Sequence, residues 1–220
     1  MHVCPIFVNS RNTIEQNVAE AERIGLAELA CVYRVRAGTG WVPAFVAAVR
    51  EAEEHTSIAL CCAVEARIMD TYGNLDLPAD LDGVEAIYAA GQQAPSPDGP
   101  LDQCSARERI EAGELDPQMV LRWIVDGTAA AAHRHEHVAI ASLFGVLPRL
   151  GLAEGDVSLD LIDSLAIAAA ESDARIVLDE RRKRPAARTL RPFLRHGVPL
   201  MFGGGSYDCE AIGRIDSGSG

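Results

Sequence analysis

Apolar positions along this chain fall into two kinds of segment that alternate. Short, nearly continuous apolar runs cover residues 2–8, 29–32, 58–64, 84–89, 138–143, 175–178 and 198–202, and each reads as a strand buried on both faces. Between them the apolar residues recur at helical spacing. Thr13-Ile14-Glu15-Gln16 has the form of a capping box, Ile14, Val18, Ala21 and Ile24 share one face, and Gly25 is a stop. A second helix enters at Trp41-Val42-Pro43, with proline suited to its first turn, and runs to residue 53. Further helices are predicted over 117–133, 160–171 and 187–196, with a short one at 209–212. The stretch 91–100, rich in Pro, Gly and Gln, reads as a loop long enough to be a lid or binding segment. Seven strand–helix units in alternation predict a parallel sheet covered by helices, either a barrel or a doubly wound sheet. No G-x-G-x-x-G follows the first strand and no G-x-x-x-x-G-K-[ST] loop occurs, which turns the expectation toward a barrel.

Length and composition fit one soluble domain over 1–216, with Ser217-Gly218-Ser219-Gly220 as a flexible tail or linker. The net charge of −12 disfavours nucleic acid as a partner, because phosphate binding needs clustered cations. Arg181-Arg182-Lys183-Arg184 is the one basic run. It reads as a solvated loop, or, from its place after a strand, as an attractor for an anionic substrate. The six cysteines lack metal-type C-x-x-C spacing and are read as reduced, cytoplasmic thiols. No signal-peptide pattern or membrane-length apolar run is present, so no membrane association is expected. Oligomeric state is not legible.

The most informative stretch is the third strand. Its apolar run delivers Glu65 to the point where the strand stops, and in a βα-repeat protein the chemistry usually lies at that edge. Glu65 is equally readable as a solvated residue or a partner of Arg67. His133-Arg134-His135-Glu136-His137 alternates three histidines, yet it joins a helix end to the fifth strand, at the mouth opposite the functional loops, and reads as a solvated connection. Gly203-Gly204-Gly205-Ser206 follows a strand and reads as a flexible turn or a phosphate cradle.

Several segments together resemble the polymerase and histidinol phosphatase (PHP) family of metal-dependent phosphoesterases. They are His2-Val3-Cys4, residues 13–26, Ala63-Val64-Glu65-Ala66 with Leu75-Asp76-Leu77-Pro78, Pro97-Asp98-Gly99-Pro100, Leu143-Phe144-Gly145-Val146-Leu147-Pro148, and Gly197-Val198-Pro199-Leu200 leading into Phe202-Gly203-Gly204-Gly205-Ser206-Tyr207. The resemblance implies a distorted (β/α)7 TIM-like barrel and a metal cluster held by His, Asp and Glu at its C-terminal mouth. Position by position, however, it implies that most ligands are replaced. His2 matches the first histidine of the family's H-x-H, but Cys4 stands at the second. Tyr33-Arg34 stands where the family has Asp-His, Glu65 matches an acidic ligand, Gly91 and Ser142 fall where histidines do, and Gly205-Ser206-Tyr207 replaces the closing Asp-x-His. Arg34 would put a permanent cation in the site. No metal or other cofactor is therefore expected.

What remains at the predicted mouth is Tyr33, Arg34, Glu65, Ser142, Asp179, Glu180 and Tyr207, with Trp41, Gln92 and Gln93 from loops and His2 and Cys4 from the first strand. The leading expectation is a metal-independent lyase or isomerase acting on a small, possibly anionic molecule by elimination, isomerisation or cyclisation. In it Glu65 is the general base, Tyr33 or Tyr207 the general acid, and Arg34 the holder of a carboxylate or enolate, while His2, Cys4, Trp41, Gln92, Ser142, Asp179 and Glu180 bind substrate. It requires an open pocket and a Glu65 not locked by Arg34. A non-catalytic scaffold, its pocket plugged by an Arg34–Glu65 pair, is the alternative, and a residual metal phosphoesterase the third. The pattern of replacements suits natural repurposing or deliberate redesign alike.

Overall fold

The computed structural model describes residues 13–179 and 182–203, and the backbone of 3–7. Its strands and helices, in chain order, are β1 (Val3–Phe7), α1 (Ile14–Arg23), β2 (Glu28–Arg34), α2 (Val42–Glu53), β3 (Ala59–Arg67), β4 (Ala86–Ala90), β5 (Pro95–Ser96), β6 (Gly99–Pro100), α3 (Gln103–Glu111), α4 (Pro117–Arg134), β7 (Val138–Ala141), α5 (Leu159–Glu171), β8 (Arg175–Asp179), α6 (Ala187–Arg195) and β9 (Leu200–Gly203). Seven strands pair in parallel in the order β1-β2-β3-β4-β7-β8-β9. The edges β1 and β9 are neighbours across the seam, but no ladder joins them. The sheet thus curls toward a barrel without closing, which corrects the closed barrel of the sequence reading.

Helices form where the sequence signals them. Thr13 and Gln16 exchange the two hydrogen bonds of a capping box, Asp116 and Ser158 cap α4 and α5, and prolines sit in the first turns of α2 and α4. The strict strand–helix alternation is broken once: no helix links β3 to β4, and the connection over 68–85 folds back through an Ile68–Leu75 bridge. The 91–100 stretch, read as a lid or a binding segment, contains the β5–β6 hairpin, whose Pro95 and Ser96 are buried against α4. The α3 helix was not predicted, because it buries only Ala106 and so lacks an apolar stripe; its one legible signal is the Asp102 cap.

The core has an inner and an outer part. Ala30, Val32, Ala63, Tyr88, Ala139, Ala141, Val177 and Met201 form a cluster drawn from strands and from no helix, which is the inside of the curl. The alternate residues Leu29, Cys31, Leu60 and Cys62 face outward onto Ile14, Val18, Phe45 and Val49 of α1 and α2. A larger outer cluster joins α3 to α6 with β4, β7 and β8. Burial in the outer core pushes the Cys31 and Cys62 thiols up to about 12, so these cysteines are inert packing groups. No helix of the described residues is long and apolar enough to cross a membrane.

Gly127 lies in the middle of α4, where glycine is intrinsically unfavourable. A Cβ there would stand 2.7 Å from the Asp70 carbonyl oxygen, so its absence lets α4 cross the 68–85 connection closely. Gly127→Ala should therefore destabilise the fold by about 1–3 kcal/mol despite alanine's better helix propensity, read as a lowered midpoint in urea denaturation. An unchanged or raised midpoint would show that the crossing relaxes freely.

Candidate functional site at the mouth of the curl

Strand register assembles the centre of the site. Arg34 pairs with Glu65 across β2 and β3, and Glu65 pairs with Tyr88 across β3 and β4, so three inward-facing side chains stand at one level on adjacent strands. Beneath them the inner cluster is dominated by alanine, which leaves room above. The result is a cavity of about 590 Å³ lined by residues that end β2, β3, β4, β7, β8 and β9. That volume is in the ordinary range for small-molecule sites.

Glu65 is only 1% exposed, and its Oε1 accepts from Arg34 Nε and from Gln92 Nε2, both at 2.8 Å. Burial pushes the carboxyl above its ordinary value, and the charge and hydrogen bond of Arg34 and the hydrogen bond of Gln92 oppose that without cancelling it. The reason is asymmetric exposure. Arg34 keeps 41% of its side chain in solvent, which screens its charge, whereas Glu65 is removed from water. Among the described residues Oε2 accepts no hydrogen bond. Arg67 is not a partner of Glu65; it pairs with Asp76, which also takes the Ala37 amide.

Arg34 holds Glu65, where the enzyme expectation has an unlocked carboxylate, and the cavity opens beside the pair, where the scaffold expectation has a plugged pocket. The other wall carries Ser142 and Arg149 after β7 and Asp179, Arg182 and Arg184 at the end of β8. Asp179 accepts from the Arg182 amide at 3.0 Å and from its Nη1 at 2.7 Å. Positive φ at Ser142 and Phe144 turns the chain sharply after β7, and Gly91 and Gly145 pack so near the Ser142 carbonyl that a Cβ on either would lie 3.0 or 2.8 Å from it. This tight turn leads directly into the 3-10 turn over Leu147–Leu150 that carries Arg149 to the rim.

Of the predicted site residues, Arg34, Glu65, Gln92, Ser142 and Asp179 converge on the cavity. Tyr33 and Trp41 do not line it. Their rings pack at a tilt of 54° with centroids 4.1 Å apart and meet Phe45 on the outer, α2 side, because strand alternation sends Tyr33 away from the face that Arg34 occupies. Gln93 is likewise not a lining residue. His2, Glu180 and Tyr207, the Gly204-Gly205-Ser206 turn and the helix predicted at 209–212 lie outside the described residues, as does the side chain of Cys4. Sequence reasoning missed Tyr88 and Arg149, while Arg182 and Arg184 belong to the basic run read as a solvated loop or an attractor for an anionic substrate. Tyr88 was hidden inside an apolar run and Arg149 lies well beyond its strand, so neither carried a local signal.

Among the described residues the donor set does not fit a metal cluster: no group of three or more His, Cys, Asp or Glu side chains is placed to hold an ion, the 133–137 histidines included. The one carboxylate at a family ligand position already receives two hydrogen-bond donors, one of them a fixed cation.

The raised Glu65 carboxyl gives stability a definite pH dependence. Below the ordinary glutamate value of about 4.3 the carboxyl is protonated in both folded and unfolded chains, and its full contribution is present. As pH rises the unfolded chain ionises first, so that contribution falls until the folded value is passed. Glu65→Gln should remove this fall, making the variant progressively more stable relative to wild type as pH increases above about 4 in urea denaturation. A flat difference would mean that Arg34 fully compensates burial.

No known protein-family model matches the chain, and no curated protein does. Solved structures do resemble it. A histidinol phosphate phosphatase from Lactococcus lactis, determined with zinc, L-histidinol and phosphate, matches over 94% of this chain and 87% of its own, with a TM-score of 0.55 and 12% identity. An N-isopropylammelide isopropylaminohydrolase from Burkholderia multivorans matches over 89% of this chain and 51% of its own, with a TM-score of 0.47 and 17% identity. The phosphatase likeness is one of fold: a mixed α/β chain built on a curled parallel sheet.

Proposed function

We propose that this chain is a divergent relative of the PHP barrels, acting as a metal-independent enzyme on a small anionic molecule with Glu65 as its acid–base group. The observation that carries the reading is a buried carboxyl, held above its ordinary value, at the wall of an open cavity lined, among the described residues, by four arginines and two carboxylates. Glu65 would take a proton from the carbon beside a substrate carboxylate or carbonyl, and the electron pair would settle as an enolate whose charge Arg34 stabilises. Return of the proton at another carbon gives isomerisation; loss of a leaving group gives elimination. The Gln92 amide fixes the carboxylate, so that Oε2 remains available for the transfer. Tyr207 keeps its proposed role as general acid.

The Lactococcus phosphatase was solved with zinc and phosphate. Here, positive charge at the described part of the mouth comes from arginine, which supports retention of an anionic ligand without retention of the family's hydrolytic chemistry. The hydrogen bond from Arg34 to Glu65 favours a second reading, a binding protein without turnover, because an engaged carboxylate is a weaker base.

The test is turnover of a panel of small 2-hydroxy and 2-keto carboxylates and their phosphate esters in the presence of chelator. Glu65→Gln should lower turnover by roughly 10²–10⁴-fold while changing ligand affinity little. Turnover abolished by chelator alone would restore the metal phosphoesterase, and ligand binding without any turnover would establish the second reading.

A further inference from the structure

Charge is unevenly satisfied around the cavity. Arg34 and Arg182 each hold a carboxylate, Glu65 at 2.8 Å and Asp179 at 2.7 Å. Among the described residues Arg149 and Arg184 hold none. The Arg149 Nη1 donates to a neutral acceptor, Gln103 Oε1, at 3.3 Å. The Arg184 backbone is fixed by reciprocal bonds with Asp179, at 2.8 and 3.0 Å, but among the described residues its guanidinium has no ion pair or hydrogen bond. Both arginines line the cavity, one following β7 and the other following β8, and these strands are neighbours in the sheet. Ser142, at the end of β7, lies on the same wall with a hydroxyl that makes no hydrogen bond among the described residues.

We propose that Arg149 and Arg184, with the Ser142 hydroxyl, form an oxyanion subsite for the terminal carboxylate or phosphate of a small molecule, and that Gln103 positions Arg149 within it. The inference rests on reading the cavity as a small-molecule site and adds where the charged end of that molecule sits. A chain with 32 acidic and 20 basic residues places on one wall of its cavity two guanidinium forks that have no carboxylate partner among the described residues, and planar forks of this kind are suited to bidentate recognition of oxyanions. A ligand anchored there extends across the mouth toward Glu65 on β3, so the charged group is held on one side and the reacting group is presented on the other. Gln103 connects the two sides. Its Nε2 donates to the Gln92 carbonyl at 2.8 Å while its Oε1 receives Arg149, and Gln92 in turn donates to Glu65. One amide thus holds the rim arginine against the segment that orients the buried carboxylate.

The test uses inorganic phosphate and malonate as separate probes, titrated calorimetrically into the full chain at constant ionic strength with chelator present. One or both should bind; malonate alone assigns a carboxylate end, and phosphate alone a phosphate end. Arg149→Gln and Arg184→Gln should each weaken binding by roughly tenfold or more, as loss of a charge-assisted hydrogen bond requires. Gln103→Glu should weaken binding more than Gln103→Leu, because it supplies Arg149 with an internal counter-ion, an order that a purely structural role would not produce. Failure of both probes to bind, or wild-type affinity in a folded Arg149→Gln/Arg184→Gln double variant, overturns the subsite. Neither result bears on Glu65, which is judged by turnover alone.

Discussion

The site depends on one buried charge placed by strand register. Parallel pairing puts Arg34, Glu65 and Tyr88 level with one another on adjacent strands, and alternation turns all three into the curl. A carboxylate taken out of water at that point is costly unless it is hydrogen bonded. Arg34 and Gln92 provide two bonds to one of its oxygens, and the rest of the mouth is built around that arrangement. Because Arg34 is itself half in solvent, it holds the carboxylate in place without fully lowering its proton affinity. Placement and proton affinity are thereby separated, which is what an acid–base group needs.

The space beside this pair has an equally simple origin. Inward positions on β2, β3, β4 and β7 are largely alanine, so the strands approach the axis without filling it, and Tyr88 and Met201 are the bulky exceptions. The outward positions carry the larger aliphatic side chains and do the work of holding helices. Stability is thus concentrated outside the sheet and the cavity is left inside it. That division lets the polar residues at the strand ends be chosen for ligand chemistry with little effect on packing.

Arginine is distributed around the mouth in two states. Arg34 is engaged by Glu65 on the neighbouring strand and Arg182 by Asp179 at the end of β8, which rigidifies them, while Arg149 and Arg184 hold no carboxylate among the described residues. The turn after β7, with positive φ at Ser142 and Phe144, leads into the 3-10 turn that carries Arg149.

Much of this was legible in the chain itself. Apolar runs and helical spacing gave the seven parallel strands and five of the helices, because burial on both faces of a strand and on one face of a helix leaves a local period. The end of the third strand marked Glu65, but a run apolar on both faces did not say which way it points. The β5–β6 hairpin escaped because its strands are only two residues long, and α3 because it buries only Ala106, so neither leaves such a period. The separation of Tyr33 from Arg34 was implicit in strand alternation once Arg34 was known to face inward. What no local pattern contained was the partnership of Glu65 with both Arg34 and Gln92, the opening beside it, and the convergence of Arg149 with Arg184. Those depend on which strands become neighbours and on how far a turn brings a distant side chain back. Periodicity reports which face a residue occupies; only the assembled sheet decides what stands opposite it.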